Sequence, residues 1–215
     1  MSKKLYAAFL PLFAVAAFAV MPAVAQAQPH WYSNGVRIKL STPVTVTTKG
    51  TLVLHAFGLT ITCTVKDKGT IENPDNGTAG VDSITEFVNS ACKSSNETEP
   101  PPKGCPAPEI GALGLPWKTL LLPGPPIRDE ITGIKIEVKC SGAKVDEFFG
   151  TLTPKIVNGS PVTTCKEATD SFAEFDTPGS GFLSDAATPP NKATVTGNDF
   201  IEGPAGDRCI TVKNP

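Results

Sequence analysis

After the first two dozen positions, apolar and polar residues alternate with a period of two along most of the chain. Val36, Ile38 and Leu40 alternate with Arg37 and Lys39, the pattern of a strand with one buried face. Residues 44–48 and 51–56 continue in β-branched and apolar side chains, interrupted at Pro43 and Gly50. Two stretches are the clearest. Leu59, Ile61, Cys63 and Val65 share one face opposite Thr60, Thr62 and Thr64, and Ile134, Ile136, Val138 and Cys140 share one face opposite Lys135, Glu137 and Lys139. Successive strand side chains point to opposite sides, so Cys63 and Cys140 are expected to face a core. Asp75-Asn76-Gly77, the run 157–160 and Gly197-Asn198-Asp199 read as turns, because Asn-Gly and similar pairs tolerate the backbone of tight hairpins. Pro123-Gly124-Pro125-Pro126 cannot continue a ladder. The predicted fold class is all-β, an antiparallel β-sandwich.

The N-terminus departs from this pattern. Lys3 and Lys4 precede an apolar run over residues 5–20, and small residues follow in the overlapping patterns Ala23-Val24-Ala25 and Ala25-Gln26-Ala27. That order is a secretory signal peptide's. The expected organisation is a signal peptide over 1–25, cleaved after Ala25 in preference to Ala27, and a single secreted β-sandwich domain over 26–215. An uncleaved anchor is the alternative, since the run is close to bilayer-spanning length, but Pro11 and Pro22 argue against it.

Export changes the reading of the cysteines. Cys63, Cys92, Cys105, Cys140, Cys165 and Cys209 all lie beyond the signal, and none forms a C-x-x-C pair. With His30 and His55 the only histidines, a structural zinc site is disfavoured, and an even count in an oxidising compartment predicts up to three disulfides. Shared parity suggests Cys63 with Cys140. Cys92 and Cys105 bracket a polar loop over 94–103 and read as a local bridge, which leaves Cys165 with Cys209. The 19 Gly and 21 Pro predict many turns. A formal net charge of −2, made more acidic by loss of Lys3 and Lys4, offers no basic patch for nucleic acid or for a membrane surface.

Gly114-Leu115-Pro116-Trp117-Lys118-Thr119-Leu120, preceded by Cys105-Pro106 and followed by the strand 131–140 and Gly150-Thr151-Leu152, resembles a group of exported bacterial proteins of unknown function. The resemblance spans about residues 31–203 and implies a secreted β domain in which the segment around Trp117 is a hallmark. It implies no activity.

The candidate sites are few. His55 has the chemistry of a general base, against the plainer reading of a histidine on the outer face of a sheet. His30 lies near the expected new N-terminus, where order is often lost. Asn73, Asp75, Asn76 and Asp82 offer oxygens to a calcium ion, but their spacing is not that of a calcium loop. Glu97 and Glu99, Asp129 and Glu130, and Asp146 and Glu147 are neighbouring carboxylates. Neighbours on a strand face opposite ways, so they read as solvated charge rather than as a glycosidase pair. Trp31, Tyr32 and Trp117 could stack on sugar rings. No catalytic residue, cofactor or metal is assigned. The expected function is a non-catalytic secreted or cell-envelope-associated binding or structural module, with an extracellular glycan or cell-envelope polymer as the partner considered and no nucleic acid or membrane. A secreted hydrolase and an inhibitor presenting the 94–103 loop are the alternatives.

Overall fold

The structure, a computed structural model, describes residues 27–56, 58–96, 105–158, 171–175, 182–184, 192–204 and 210–214. The expected signal segment, Cys165, Cys209, Glu97, Glu99 and most of the 94–103 loop lie outside them. The chain is an antiparallel all-β protein, as the period-two pattern requires.

Its strands are β1 (His30–Ser33), β2 (Val36–Arg37), β3 (Val44–Ala56), β4 (Leu59–Glu72), β5 (Val81–Asn96), β6 (Pro108–Ala112) and β7 (Trp117–Leu122). They continue as β8 (Arg128–Cys140), β9 (Ala143–Leu152), β10 (Lys155–Asn158), β11 (Ser171–Phe175), β12 (Phe182–Ser184), β13 (Lys192–Glu202) and β14 (Ile210–Lys213). A three-stranded sheet has the order β14-β1-β2, and an 11-stranded sheet contains the rest.

The larger sheet returns upon itself. Its path runs from β3 through β4, β5, β7, β8, β9 and β12 to β13, and β13 pairs back onto β3, with Thr194 opposite His55 and Glu202 opposite Thr47. Closure removes the open edges that would otherwise invite association. It also gives every long strand an inner and an outer face. Inside, Leu54, Ile61, Cys63, Val65, Ile110, Trp117, Ile134, Ile136, Val138, Phe148 and Val195 form one apolar cluster. A second contains Val46, Ile71, Leu121 and Ile201 of the large sheet with Trp31, Ile38, Ile210 and Val212. The small sheet therefore packs across one end of the ring.

Several local expectations need correction. Gly197-Asn198-Asp199 is not a turn but the middle of β13, where Gly197 has φ of 156° and lies so close to β3 that a Cβ would overlap the Thr51 carbonyl. Asn158 ends a strand and clasps β14: Val212 N–H donates to its Oδ1 at 2.8 Å and its amide donates to the Val212 carbonyl at 2.5 Å. The cysteine pairing also differs. Cys63 bonds Cys92 and Cys105 bonds Cys140, not Cys63 with Cys140 or Cys92 with Cys105. Parity placed Cys63 correctly in the core, but its partner comes from the adjacent strand. Thr62 opposes Lys93 and Thr64 opposes Ser90, so an extra residue of β5 faces Cys63. Ala91 takes φ of 51° there. This bulge returns Cys92 to the inner face, with the two Cα atoms 4.1 Å apart.

Candidate functional site

The strand faces that carry the apolar clusters also carry acids. On β4 the inward series Ile61, Cys63, Val65 continues to Asp67 before Gly69 and Ile71. On β13 Asp199 lies between Val195 and Ile201, and on β8 Asp129 precedes Ile131, each at the parity of its buried neighbours. Asp67 and Asp129 retain 8% exposure and Asp199 3%, and Asp82 of β5 is half-buried. Cross-strand register adds two hydroxyls: Thr48 of β3 stands opposite Asp67, and Thr119 of β7 stands opposite Asp82.

Reading around the ring in the order β13, β3, β4, β5, β7, β8, the interior layer is Asp199, Thr48, Asp67, Asp82, Thr119, Asp129. Each threonine strand is flanked by two aspartate strands. The layer lies between the two apolar clusters. A cavity of about 60 Å³ is lined by Thr48, Asp67, Asp82, Asp129 and Asp199 together with apolar side chains of both clusters. A smaller one of about 30 Å³ adjoins Asp67 and Asp199 on the side of Leu52 and Trp117.

The electrostatics of the layer are dominated by burial. Removing a carboxylate from water favours its neutral form. Burial raises Asp67 to about 7, the Thr48 side chain opposing it. Asp82 is raised by burial to about 7, with Thr119 and Asp129 opposing. Asp199 is raised to about 8 by burial and then by the charge of Asp67. Asp129 is pushed well up, first by burial and then by the charge of Asp82. One oxygen each of Asp67, Asp129 and Asp199 makes no hydrogen bond. Unpartnered buried polar atoms are uncommon in folded proteins.

The residues singled out from sequence fare differently. Trp31 and Trp117 are buried, at 1% and 5% exposure, so neither offers a ring face to a sugar. Trp117 plugs the first cluster, its Nε1 donating to the Leu113 carbonyl at 3.0 Å and its ring 5.8 Å from that of Phe87. Tyr32 is half-buried, with the Lys213 ammonium 5.3 Å from its ring centre. His30 is no loose end. It is buried in β1 opposite Lys213, and burial first, then Arg37, lowers its pKa while the Gln28 carbonyl opposes.

His55 shares the outer parity of β3, with its Nδ1 3.0 Å from the Thr60 hydroxyl, and so stands across the sheet from the acids. Asn73 is a structural clamp rather than a calcium ligand. The Trp31 N–H donates to its Oδ1, and its amide donates to the Trp31 and Ile38 carbonyls, each at 2.7 Å. Asn76 accepts from the Thr78 hydroxyl at 2.8 Å within the turn. Glu147 pairs with Lys135 and Lys144, each at 2.6 Å, as solvated charge does. Asp129 does not, since it turns inward. Asp82, considered for calcium, belongs to the interior layer. Among the described residues, no group of three or more His, Cys, Asp or Glu side chains is arranged to hold a metal ion.

A groove of about 390 Å³ opens on the outside between β5 and β6, lined by Asn89, Ser90, Cys92, Glu109, Gly111 and Lys139. The Asn89 amide spans it to the Ile110 carbonyl. Comparison with known protein families, with curated proteins and with solved structures finds no match.

Proposed function

We propose that this chain is an exported, non-catalytic β domain that serves as a binding or structural module outside the cell or at the cell envelope. The observation that carries this reading is that, among the described residues, the cluster of buried acids lines a small cavity on the inner side of a closed sheet. A layer of acids around a cavity of about 60 Å³ has room for roughly four water molecules, far below the ~300 Å³ at which ligand pockets begin.

Two disulfides suit an oxidising compartment, and they support the export suggested by Lys3, Lys4 and the small residues around Ala25. The likeness of the segment around Trp117 to exported bacterial proteins points the same way. Among the described residues, no helix is long and apolar enough to cross a membrane. The groove between β5 and β6, with Glu109 and Lys139 on its walls, is the polar surface on which an extracellular glycan or envelope polymer would rest.

Asp82 and Asp129 give the hydrolase reading its one foothold, since two adjacent, mutually coupled carboxyls are an acid–base pair by type. The cavity beside them, about 60 Å³, is too small to take a substrate. The test is to incubate the purified secreted protein with cell-wall polymers and glycans, measuring saturable co-sedimentation and product release together. Saturable retention without turnover is expected. Turnover abolished by Asp82→Asn would contradict the reading.

A further inference from the structure

We propose that the interior layer Asp199, Thr48, Asp67, Asp82, Thr119, Asp129 is a proton-operated lock, which holds the two apolar clusters together as one core while its carboxyls are protonated and loosens the fold when they ionise.

The geometry leaves few other roles for these residues. Asp67, Asp129 and Asp199 are each more than nine-tenths buried, line the central cavity and carry an oxygen with no hydrogen-bond partner. A buried carboxylate without a counter-charge is costly, and the usual escape is to bind a proton. Among the described residues, no such counter-charge faces the layer. From β3 and β7 come the neutral Thr48 and Thr119, and from β4, β5, β8 and β13 come the four acids. Glu130, next to Asp129, adds further negative potential. The remaining charged lining residue among those described is Lys68, whose ammonium pairs with Glu86 at 3.1 Å on the outer face. β10 contributes Ile156 to the lining and β1 contributes Trp31.

The backbone is fitted to the layer as well. Gly50, opposite Asp199, leaves the space its carboxyl occupies, since a Cβ at Gly50 would overlap both that carboxyl and the Asn198 carbonyl.

The direction of the effect follows from burial. Folded-state proton affinities of about 7 for Asp67 and Asp82 and about 8 for Asp199 exceed those of the unfolded chain, near 4. Stability is therefore fully present below about pH 4 and is lost as pH rises through 7 and 8. In that window the fold is protonated where the unfolded chain is not, so unfolding releases protons.

The test uses the full mature chain with its disulfides intact. Its urea midpoint is followed from about pH 4 to about pH 9, alongside Asp67→Asn/Asp199→Asn, whose amides keep the shape but cannot ionise. The wild-type midpoint is expected to fall from about pH 5 and to level off above about pH 8, and the double variant to lose at least half of that fall. Should the variant not fold, calorimetry of wild type in two buffers of different ionisation enthalpy reads the same quantity, and release of two or more protons on unfolding at about pH 6 is expected. A midpoint that is flat or rises with pH, or no proton release, overturns the proposal. So does a calcium-dependent recovery of the alkaline midpoint, which would make the layer a cation site.

Discussion

Asn73 and Asp67 are both buried polar residues of the same part of the chain, and they are treated in opposite ways. Asn73 makes three hydrogen bonds to main-chain groups at Trp31 and Ile38, satisfying itself and joining the end of β4 to β1. Asn73→Ala would orphan the Trp31 N–H and the Ile38 carbonyl, at about 1 to 3 kcal/mol for each buried unsatisfied group, while the Trp31 carbonyl keeps the Ile38 N–H. A loss of about 3 kcal/mol in urea unfolding is expected, with faster amide exchange across β1. Asp67 has an oxygen with no hydrogen-bond partner, and burial raises its proton affinity instead.

The sequence contained the signal for Asp67. It continues the parity of Ile61, Cys63 and Val65, and Asp129 and Asp199 likewise share the parity of Ile131 and Ile201. An acid in step with a buried face is a misfit that period alone reveals. What period could not reveal was that these misfits meet, because neighbourhood across strands is fixed by pairing and closure. For the same reason the acid next to Glu130 looked like solvated charge, and Trp117 like either a plug or a sugar platform.

At the scale of strands, close backbone approach and irregularity decide more than propensity does. β3 and β13 close the ring, and both have glycine where they come nearest. Gly50→Ala is expected to destabilise by about 2 to 3 kcal/mol through overpacking, since its Cβ would meet backbone and a carboxyl with nowhere to go. Gly35→Ala, at φ of 77° in open space, should cost only about 1 kcal/mol from backbone strain. The comparison in one urea series separates the two causes.

The bulge at Ala91 has the larger consequence for covalent structure. Without its extra residue Cys92 would oppose Thr62 on the outer face, and the Cys63 thiol would look for a partner elsewhere. Parity identified which cysteines face inward but carried no information on bulges. Non-reducing peptide mapping is expected to recover Cys63 with Cys92 and Cys105 with Cys140 in separate peptides. Replacing Cys63 and Cys92 by alanine, which opens a separation of 29 residues, should lower stability by about 3 kcal/mol.

For the molecule as a whole, a closed sheet capped by a smaller one turns Asp67, Asp129 and Asp199 inward. The alternation of the sequence made the all-β class legible. Closure was not legible, because it rests on β13 finding β3 across more than a hundred residues. The closed ring also joins the proposed function to the acid layer: a module with so small a cavity presents its outer surface to partners and keeps its titrating groups for its own stability. Carboxyls buried without counter-charges make the fold strongest in acid, the reverse of proteins whose acids are salt-bridged and lost as pH falls.

Titration of the aspartate side-chain carboxyl carbons by NMR in the folded protein reads how far above the exposed acids these interior acids hold their protons. Asp67 and Asp82 are expected to titrate at about 7 and Asp199 at about 8, well apart from the solvent-exposed acids near 4. Titration of all of them together near 4 would mean that the interior layer does not bind protons more tightly than the surface acids do.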